Sequence, residues 1–217
     1  MRRLDAHGLV LEYRDGERCV RAVDGVDVQA RAGEFVGLVG PSGSGKSSLL
    51  FLLAGLRRPD GGTVTINGVV LDPLPDRNAA IRREHVGFLF QEPFLVPWMS
   101  VMENALVHAL DPERAAARVR DLAGRIGMGA LLEERPDRLS GGERQRAGIL
   151  RALANEPGVV LADEPTAALD GRTGQAVMAM LREAAREAAL VVVTHDPAML
   201  TGADRVLRLS DGAVVEG

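Results

Sequence analysis

The chain has 217 residues, 46% of them hydrophobic and 26% charged, with a formal net charge of −4. That length allows a sizeable core, in one large domain or a core with a subdomain, and the acidic balance argues against broad nucleic-acid binding. The single Cys19 excludes an internal disulfide and fits a reduced, intracellular setting.

Met1-Arg2-Arg3 is basic, but Asp5 and His7 interrupt the residues after it, so no signal-peptide core forms. No stretch approaches the roughly 20 apolar residues that cross a bilayer, so any membrane role comes through a partner. Leu9 to Tyr13 and Val20 to Val28 read as strands. Arg31 to Glu34 is a turn leading into the apolar strand Phe35–Val39.

Gly40-Pro41-Ser42-Gly43-Ser44-Gly45-Lys46-Ser47 follows that strand and precedes a helical run from Ser48 to Ala54. This is G-x-x-x-x-G-K-[ST] in its required strand–turn–helix setting. A triphosphate needs several inward donors at close range. Gly43 and Gly45 let the backbone turn its N–H groups to the phosphates, and the helix start adds its positive end. Lys46 can reach the β- and γ-phosphates and Ser47 can ligate Mg²⁺. The bland alternative, a binding-free glycine turn, leaves Lys46-Ser47 unexplained.

The helix is expected to end near Gly55. Thr63–Ile66 and Val69–Leu71 flank Asn67-Gly68, a tight-hairpin signature. Asp72 to Arg83 reads as a polar, proline-bearing connection, and Val86–Phe90 as a short strand ending at Gln91. Val101–Leu110 and Pro112–Ile126 read as helices of an inserted subdomain, and a further helix starts at Ser140-Gly141-Gly142 and runs to about Ala154. Val159–Ala162 is an apolar strand ending in Asp163-Glu164-Pro165; a helix over about 174–188 comes next, then the strand Leu190–Thr194 ending at His195. Strand–helix alternation implies an α/β fold with a mostly parallel sheet, an N-terminal antiparallel β subdomain and an inserted α-helical subdomain. We expect a single domain over residues 1–217, with 1–91 and 155–217 as nucleotide-binding core and 92–154 as helical subdomain.

Chemistry in such sheets gathers beyond the carboxyl ends of the strands. Asp163 there can reach the Mg²⁺ shell beside Ser47, and Glu164 can polarise the water that attacks the γ-phosphate. Gln91 can bond Mg²⁺-bound or attacking water, and His195 can contact the γ-phosphate. Each alone has a structural reading: an acidic turn, a polar residue leaving a strand, a lone histidine. Ser140-Gly141-Gly142 with Glu143 opens a helix with a hydroxyl and unblocked N–H groups, a second anion site. A chain with one complete phosphate loop has no need of another, so this site is expected to face the phosphate bound by a different subunit.

With Leu139-Ser140-Gly141-Gly142-Glu143-Arg144-Gln145-Arg146 ahead of Asp163-Glu164, the chain resembles the ATP-binding cassette ATPases over nearly its whole length. Gly40–Ser47 resembles the family's Walker A loop, Gln91 its Q-loop glutamine, Leu139–Gln145 its signature, Val159–Glu164 its Walker B strand and catalytic glutamate, Ala167–Asp170 its D-loop and His195 its switch histidine. Tyr13 stands where the family often has an aromatic that stacks on adenine; an edge-strand tyrosine is the other reading. Ser48 stands where threonine is more usual, and Ala167 where the D-loop often has serine or glycine. The resemblance implies ATP and Mg²⁺ as cofactors and a head-to-tail homodimer, with each ATP between Gly40–Ser47 of one subunit and Ser140–Gly142 of the other. It implies an ATPase subunit at the cytoplasmic face of a membrane, bound to a separate integral permease. Glu92 to Ser100, with Phe94 and the only tryptophan, Trp98, either lines a groove for a permease helix or packs the root of the helical subdomain. We expect Phe94 and Trp98 to be partly buried. The wording of 86–104 is closest to the lipoprotein-release and macrolide-export type. A soluble cassette of DNA repair, chromosome organisation or translation is the alternative, and the coiled coil, zinc module or second cassette it would carry is missing. A non-cassette P-loop kinase or GTPase conflicts with Leu139–Arg146.

Overall fold

A computed structural model describes residues 2–16, 18–167 and 169–215, without the side chains of Arg2, Asp15 and Arg18. The chain runs β1 (Arg2–Asp15), β2 (Arg18–Arg31), β3 (Phe35–Val39), α1 (Lys46–Leu53), β4 (Gly61–Ile66), β5 (Val69–Val70), α2 (Ala79–His85) and β6 (Val86–Leu89). It continues through α3 (Val101–Leu106), α4 (Pro112–Arg125), α5 (Gly141–Leu153), β7 (Val159–Asp163), α6 (Gly171–Ala184), β8 (Ala189–Val193), β9 (Arg205–Ser210) and β10 (Ala213–Val215). Among the described residues, no helix is long and apolar enough to cross a membrane.

Two sheets result. One is antiparallel, in the order β2-β1-β4-β5; the other runs β10-β9-β3-β8-β7-β6. In the second, all strands but β10 are parallel. The apolar runs of its central strands make sense because successive side chains enter opposite cores. Val36, Leu38, Val159, Leu161, Val191 and Val193 join α1 and the antiparallel sheet. Phe35, Val160, Ala162, Leu190 and Val192 join α3 to α6 on the other face. Because β3, β8, β7 and β6 are parallel and in register, their carboxyl ends open on one edge. The loop after β3, Glu164 after β7, His195 after β8 and Gln91 after β6 all follow from that edge.

The helices show why their sequences start where they do. Ser100 caps α3 with Glu103 in a reciprocal box, Asp111 caps α4 ahead of Pro112, and Asp170 caps α6 by accepting from the N–H groups of Arg172 and Thr173. The Asp170 cap starts α6 three residues before the expected Gly174. On α4 the buried residues Ala115, Val119, Leu122 and Ala123 form one stripe.

Three features differ from expectation. The stretch 72–83 is not a plain connection: a single turn at Pro75–Asn78 leads into α2. No residue of α2 is buried, so periodicity carried no signal. Half-buried Ile81 packs against the core, and polar contacts hold the rest. The Asn78 side chain accepts from the Asp72 N–H and donates to the Asp72 carbonyl, and Arg82 donates to the carbonyls of Gly55 and Pro75. Second, the hairpin β9–β10 extends the main sheet past β3, and its turn, Asp211 at φ 49° and Gly212 at φ 81°, is a tight-hairpin pair. Third, β1 and β2 are longer than expected and continue through several bulges. The Asn67-Gly68 hairpin is present, both residues at positive φ.

Candidate active site

The loop of residues 40–45 is pressed between two strands. A Cβ on Gly45 (φ 97°) would collide with the Ala22 carbonyl of β2, and one on Gly40 with the Leu209 carbonyl of β9. The N–H of Gly212 donates to the Ser44 carbonyl at 3.1 Å, fastening the loop to the β9–β10 turn. Lys46 is buried, and its Nζ donates to the carbonyls of Gly40 and Pro41, both at 2.9 Å. An ammonium has three donors, so one remains for a ligand oxygen. No side chain caps α1, which leaves its first-turn N–H groups for an anion.

Ser47 Oγ donates to Asp163 Oδ1 at 3.1 Å. Asp163 is only 7% exposed. Burial pushes its carboxyl above the usual range, the neighbouring Glu164 adds to this, and the Ser47 hydrogen bond and Lys46 oppose it. A carboxylate and a hydroxyl in contact, with a buried negative charge short of compensation, fit a hard cation. Among the described residues there is no cluster of three or more His, Cys, Asp or Glu. Mg²⁺ needs none, since it is typically held by one or two protein oxygens with phosphate and water completing the shell.

One residue on, Glu164 adopts φ 44°, rare for a residue with a side chain. Its N–H donates to the Val193 carbonyl at 2.9 Å, which ties the end of β7 to the end of β8. His195 Nδ1 lies 2.9 Å from Glu164 Oε1. His195 is largely exposed while Glu164 is not, so the imidazole covers the carboxylate from the solvent side.

Tyr13 is half-exposed on β1, and its hydroxyl lies 3.2 Å from Ser48 Oγ. The serine at this position therefore retains a polar contact. β4 pairs with β1 only as far as Val10, so β1 at Tyr13 has a neighbour strand on one side, as an edge strand does. Gln91 is exposed beyond β6, and among the described residues no hydrogen bond ties its side chain to Ser47, Asp163 or Glu164. Ser140 and Glu143 satisfy each other. Glu143 Oε2 accepts from the Ser140 N–H and hydroxyl at 2.7 Å each, and the Glu143 N–H reaches Ser140 Oγ. The Ser140 backbone and hydroxyl bonds hold the Glu143 carboxyl below its usual range. Among the described residues, no hydrogen bond or ion pair joins 140–143 to the phosphate loop, Glu164 or His195. Gly142 sits instead beside Leu169 and Thr173. Of Ala167–Asp170, Ala168 lies outside the described residues, and the Ala167 N–H donates to the Glu164 carbonyl.

The expectation that Phe94 and Trp98 are partly buried is wrong: they are 66% and 71% exposed. The segment is held by its backbone instead. Fully buried Asn104 accepts from the Val96 N–H and donates to the carbonyls of Val96, Met99 and Ser100. Arg151 donates to the carbonyls of Pro93 and Phe94. Phe94 (φ 43°) meets Phe90 edge-on at 5.5 Å, and Phe90 packs on Phe88. These three rings with Arg82, Arg83 and Arg151 line a hollow of about 320 Å³ that Trp98 does not reach. A larger hollow, about 580 Å³, lies at the opposite end, before β6, β7 and β8, among salt-bridged arginines such as Arg114 and Arg125. It contains none of the expected site residues.

Sequence reasoning missed the walls of the phosphate loop, which are carbonyls of Ala22 and Leu209, and it missed Arg57, whose guanidinium lies over the Tyr13 ring. Asp211-Gly212 could have announced the second wall; nothing in the sequence announces the others.

Residues 23–167 match the family model described as ABC transporter. The chain is 40% identical, over 98% of its length and 93% of the relative's, to the lipoprotein-releasing system ATP-binding protein LolD of Chromohalobacter salexigens. It is 42% identical over 98% of its length to macrolide export ATP-binding/permease protein MacB 1 of Aeromonas hydrophila, of which it spans 34%. Among solved structures it is similar to an ATP-binding cassette dimer in a post-hydrolysis state bound to ADP and Pi. That likeness has a TM-score of 0.86 and 34% identity, and covers 98% of this chain and 97% of that one.

Proposed function

The chain belongs to the ATP-binding cassette transporter family, and from that premise we propose how its residues divide the work. It is an ATPase, converting ATP and water to ADP and phosphate, of the kind that serves transporters. The observation that carries the reading is the convergence, at adjacent strand ends, of the Ser47–Asp163 and Glu164–His195 contacts beside the phosphate loop.

Lys46 keeps two donors on the loop and gives its third to a phosphate oxygen, while the loop N–H groups and the α1 terminus surround the rest. Ser47 and Asp163 would hold Mg²⁺, and Gln91 would bond to its water shell. When bound, that ion neutralises charge on the phosphate oxygens. Glu164 takes the proton of the attacking water, and His195 fixes its carboxylate and faces the γ-phosphate. Tyr13 carries the base.

Ser140–Glu143 completes the site of a second copy of this chain. The likeness to a dimeric ATP-binding cassette supports a head-to-tail homodimer, which closes on ATP and opens after hydrolysis, so that ATP distinguishes two states. Ser140→Arg tests this. We expect ATP affinity of the isolated chain to stay within about 2-fold while turnover falls at least about 100-fold, since a cation and its bulk displace the anion site. Undiminished turnover in steady-state assays would remove the signature from the site.

The partner is a separate membrane permease, which places the chain at the cytoplasmic face, and no nucleic acid is involved. The LolD and MacB relatives support the lipoprotein-release and macrolide-export type. The exposed Phe94 and Trp98 support a permease contact at this segment. Trp98→Ala is expected to weaken permease co-purification about 10-fold or more, as loss of an exposed aromatic anchor does, with basal ATP hydrolysis within about 2-fold. Unchanged assembly would return Trp98 to ordinary surface.

A further inference from the structure

Tyr13 is held from three directions. Its backbone pairs with Val20 of β2, its hydroxyl meets Ser48 near the start of α1, and the Arg57 guanidinium lies 4.9 Å over its ring centroid. Arg57 is placed there by the fold. Gly55 takes φ 63°, and the N–H groups of Leu56 and Arg57 both return to the Phe51 carbonyl, which closes the end of α1. Asp60 then clamps the following turn onto β1, because its N–H donates to the Val10 carbonyl at 2.8 Å and its carboxylate accepts the Glu12 N–H at 2.7 Å. The turn thus takes over the flank of β1 that β4 leaves, and brings Arg57 to the tyrosine next in line. Among the described residues, no ion pair with a carboxylate draws the exposed Arg57 guanidinium away from the ring.

We infer that Arg57 is a positioning residue for the nucleotide base: it covers one face of Tyr13, fixes the ring, and leaves the opposite face as the platform on which adenine stacks. The inference rests on the reading that Tyr13 carries the base. A half-exposed tyrosine free to change rotamer would have to be ordered at binding. A guanidinium on its rear face orders it beforehand and draws ring electron density away from the side that meets the electron-rich purine. Ser48 lies in the first turn of α1 and Arg57 in the turn just past its last residue, bonded back to the Phe51 carbonyl, so the platform is tied at both ends to the helix that holds the phosphates. Base and phosphate subsites then move as one piece.

The test compares equilibrium binding of Mg-ATP and of Mg-tripolyphosphate, which has no base, to wild-type chain, Arg57→Ala, Arg57→Lys, Tyr13→Ala and the double variant Tyr13→Ala with Arg57→Ala. Arg57→Ala should weaken ATP about 3- to 5-fold, the size of an exposed cation–π contact, leave tripolyphosphate unchanged, and add nothing further in the Tyr13→Ala background. Arg57→Lys should restore most of the loss. Four outcomes overturn the inference. Equal losses for both ligands would make Arg57 a phosphate or folding residue. Tighter ATP binding in Arg57→Ala would mean that the guanidinium blocks the face the base uses. Normal ATP binding in Arg57→Ala, with a loss in Tyr13→Ala, would sink the role of Arg57 while sparing Tyr13. Normal ATP binding in Tyr13→Ala would remove both.

Discussion

Glu164→Gln is expected to bind ATP as the wild-type chain does, hydrolyse it about 10² to 10⁴ times more slowly, and accumulate as an ATP-bound dimer. The amide has the shape of the carboxylate and keeps a hydrogen bond to His195, so the unusual φ of 44° and the Glu164 N–H bond to Val193 are undisturbed. It cannot accept a proton at neutral pH, and loss of a general base costs factors of that size. With chemistry slowed and binding retained, whatever ATP does to association persists. Single-turnover hydrolysis and size-exclusion chromatography in ATP read the two parts separately. Turnover at the wild-type rate would take Glu164 out of the chemistry. Slow turnover without a dimer would leave Glu164 in place and remove the shared site.

Lys46→Ala is expected to weaken ATP about 10- to 100-fold or more. A hydrogen bond from a buried charge is worth about 1.5–3 kcal/mol. Here the loss is compounded, because the same ammonium holds the carbonyls of Gly40 and Pro41. Without it those carbonyls have no side-chain donor and the loop is no longer organised before the ligand arrives. Calorimetric titration with Mg-ATP measures the effect, and a melting curve without nucleotide shows how much comes from the loop itself. Tight ATP binding in this variant would contradict the role given to Gly40–Ser47.

The parts of this molecule that could be read from its residues are those whose physics is local. A strand buried on both faces must be apolar along its whole length, so β3, β7 and β8 announced themselves, and the glycine-rich turn between β3 and α1 announced the phosphate loop. The membership of the cassette family follows from the order of such segments and is supported by the family match. What escaped was decided at a distance. α2 is held by Asn78 and Arg82 through backbone carbonyls and has no fully buried residue, only half-buried Ile81 on the core. Phe94 and Trp98 look like core residues by type, but Asn104 and Arg151 fix their segment through its backbone and leave the rings in solvent. Arg57 has no signal at all at Tyr13, because the turn that brings it there depends on Asp60 docking on β1.

The fastening of the phosphate loop to the β9–β10 turn has a consequence for the order in which the protein is made. Residues 40–47 leave the ribosome early, but the wall at Leu209 and the Gly212–Ser44 bond exist only once the chain has been translated past residue 212. Until then the loop has its wall at Ala22 but not the one at Leu209, and nucleotide in the cell has no finished cradle to stabilise. Contacts this far apart in sequence close late and slowly. The nascent chain must therefore keep its exposed apolar strands out of trouble without help from the ligand its finished form is built to hold.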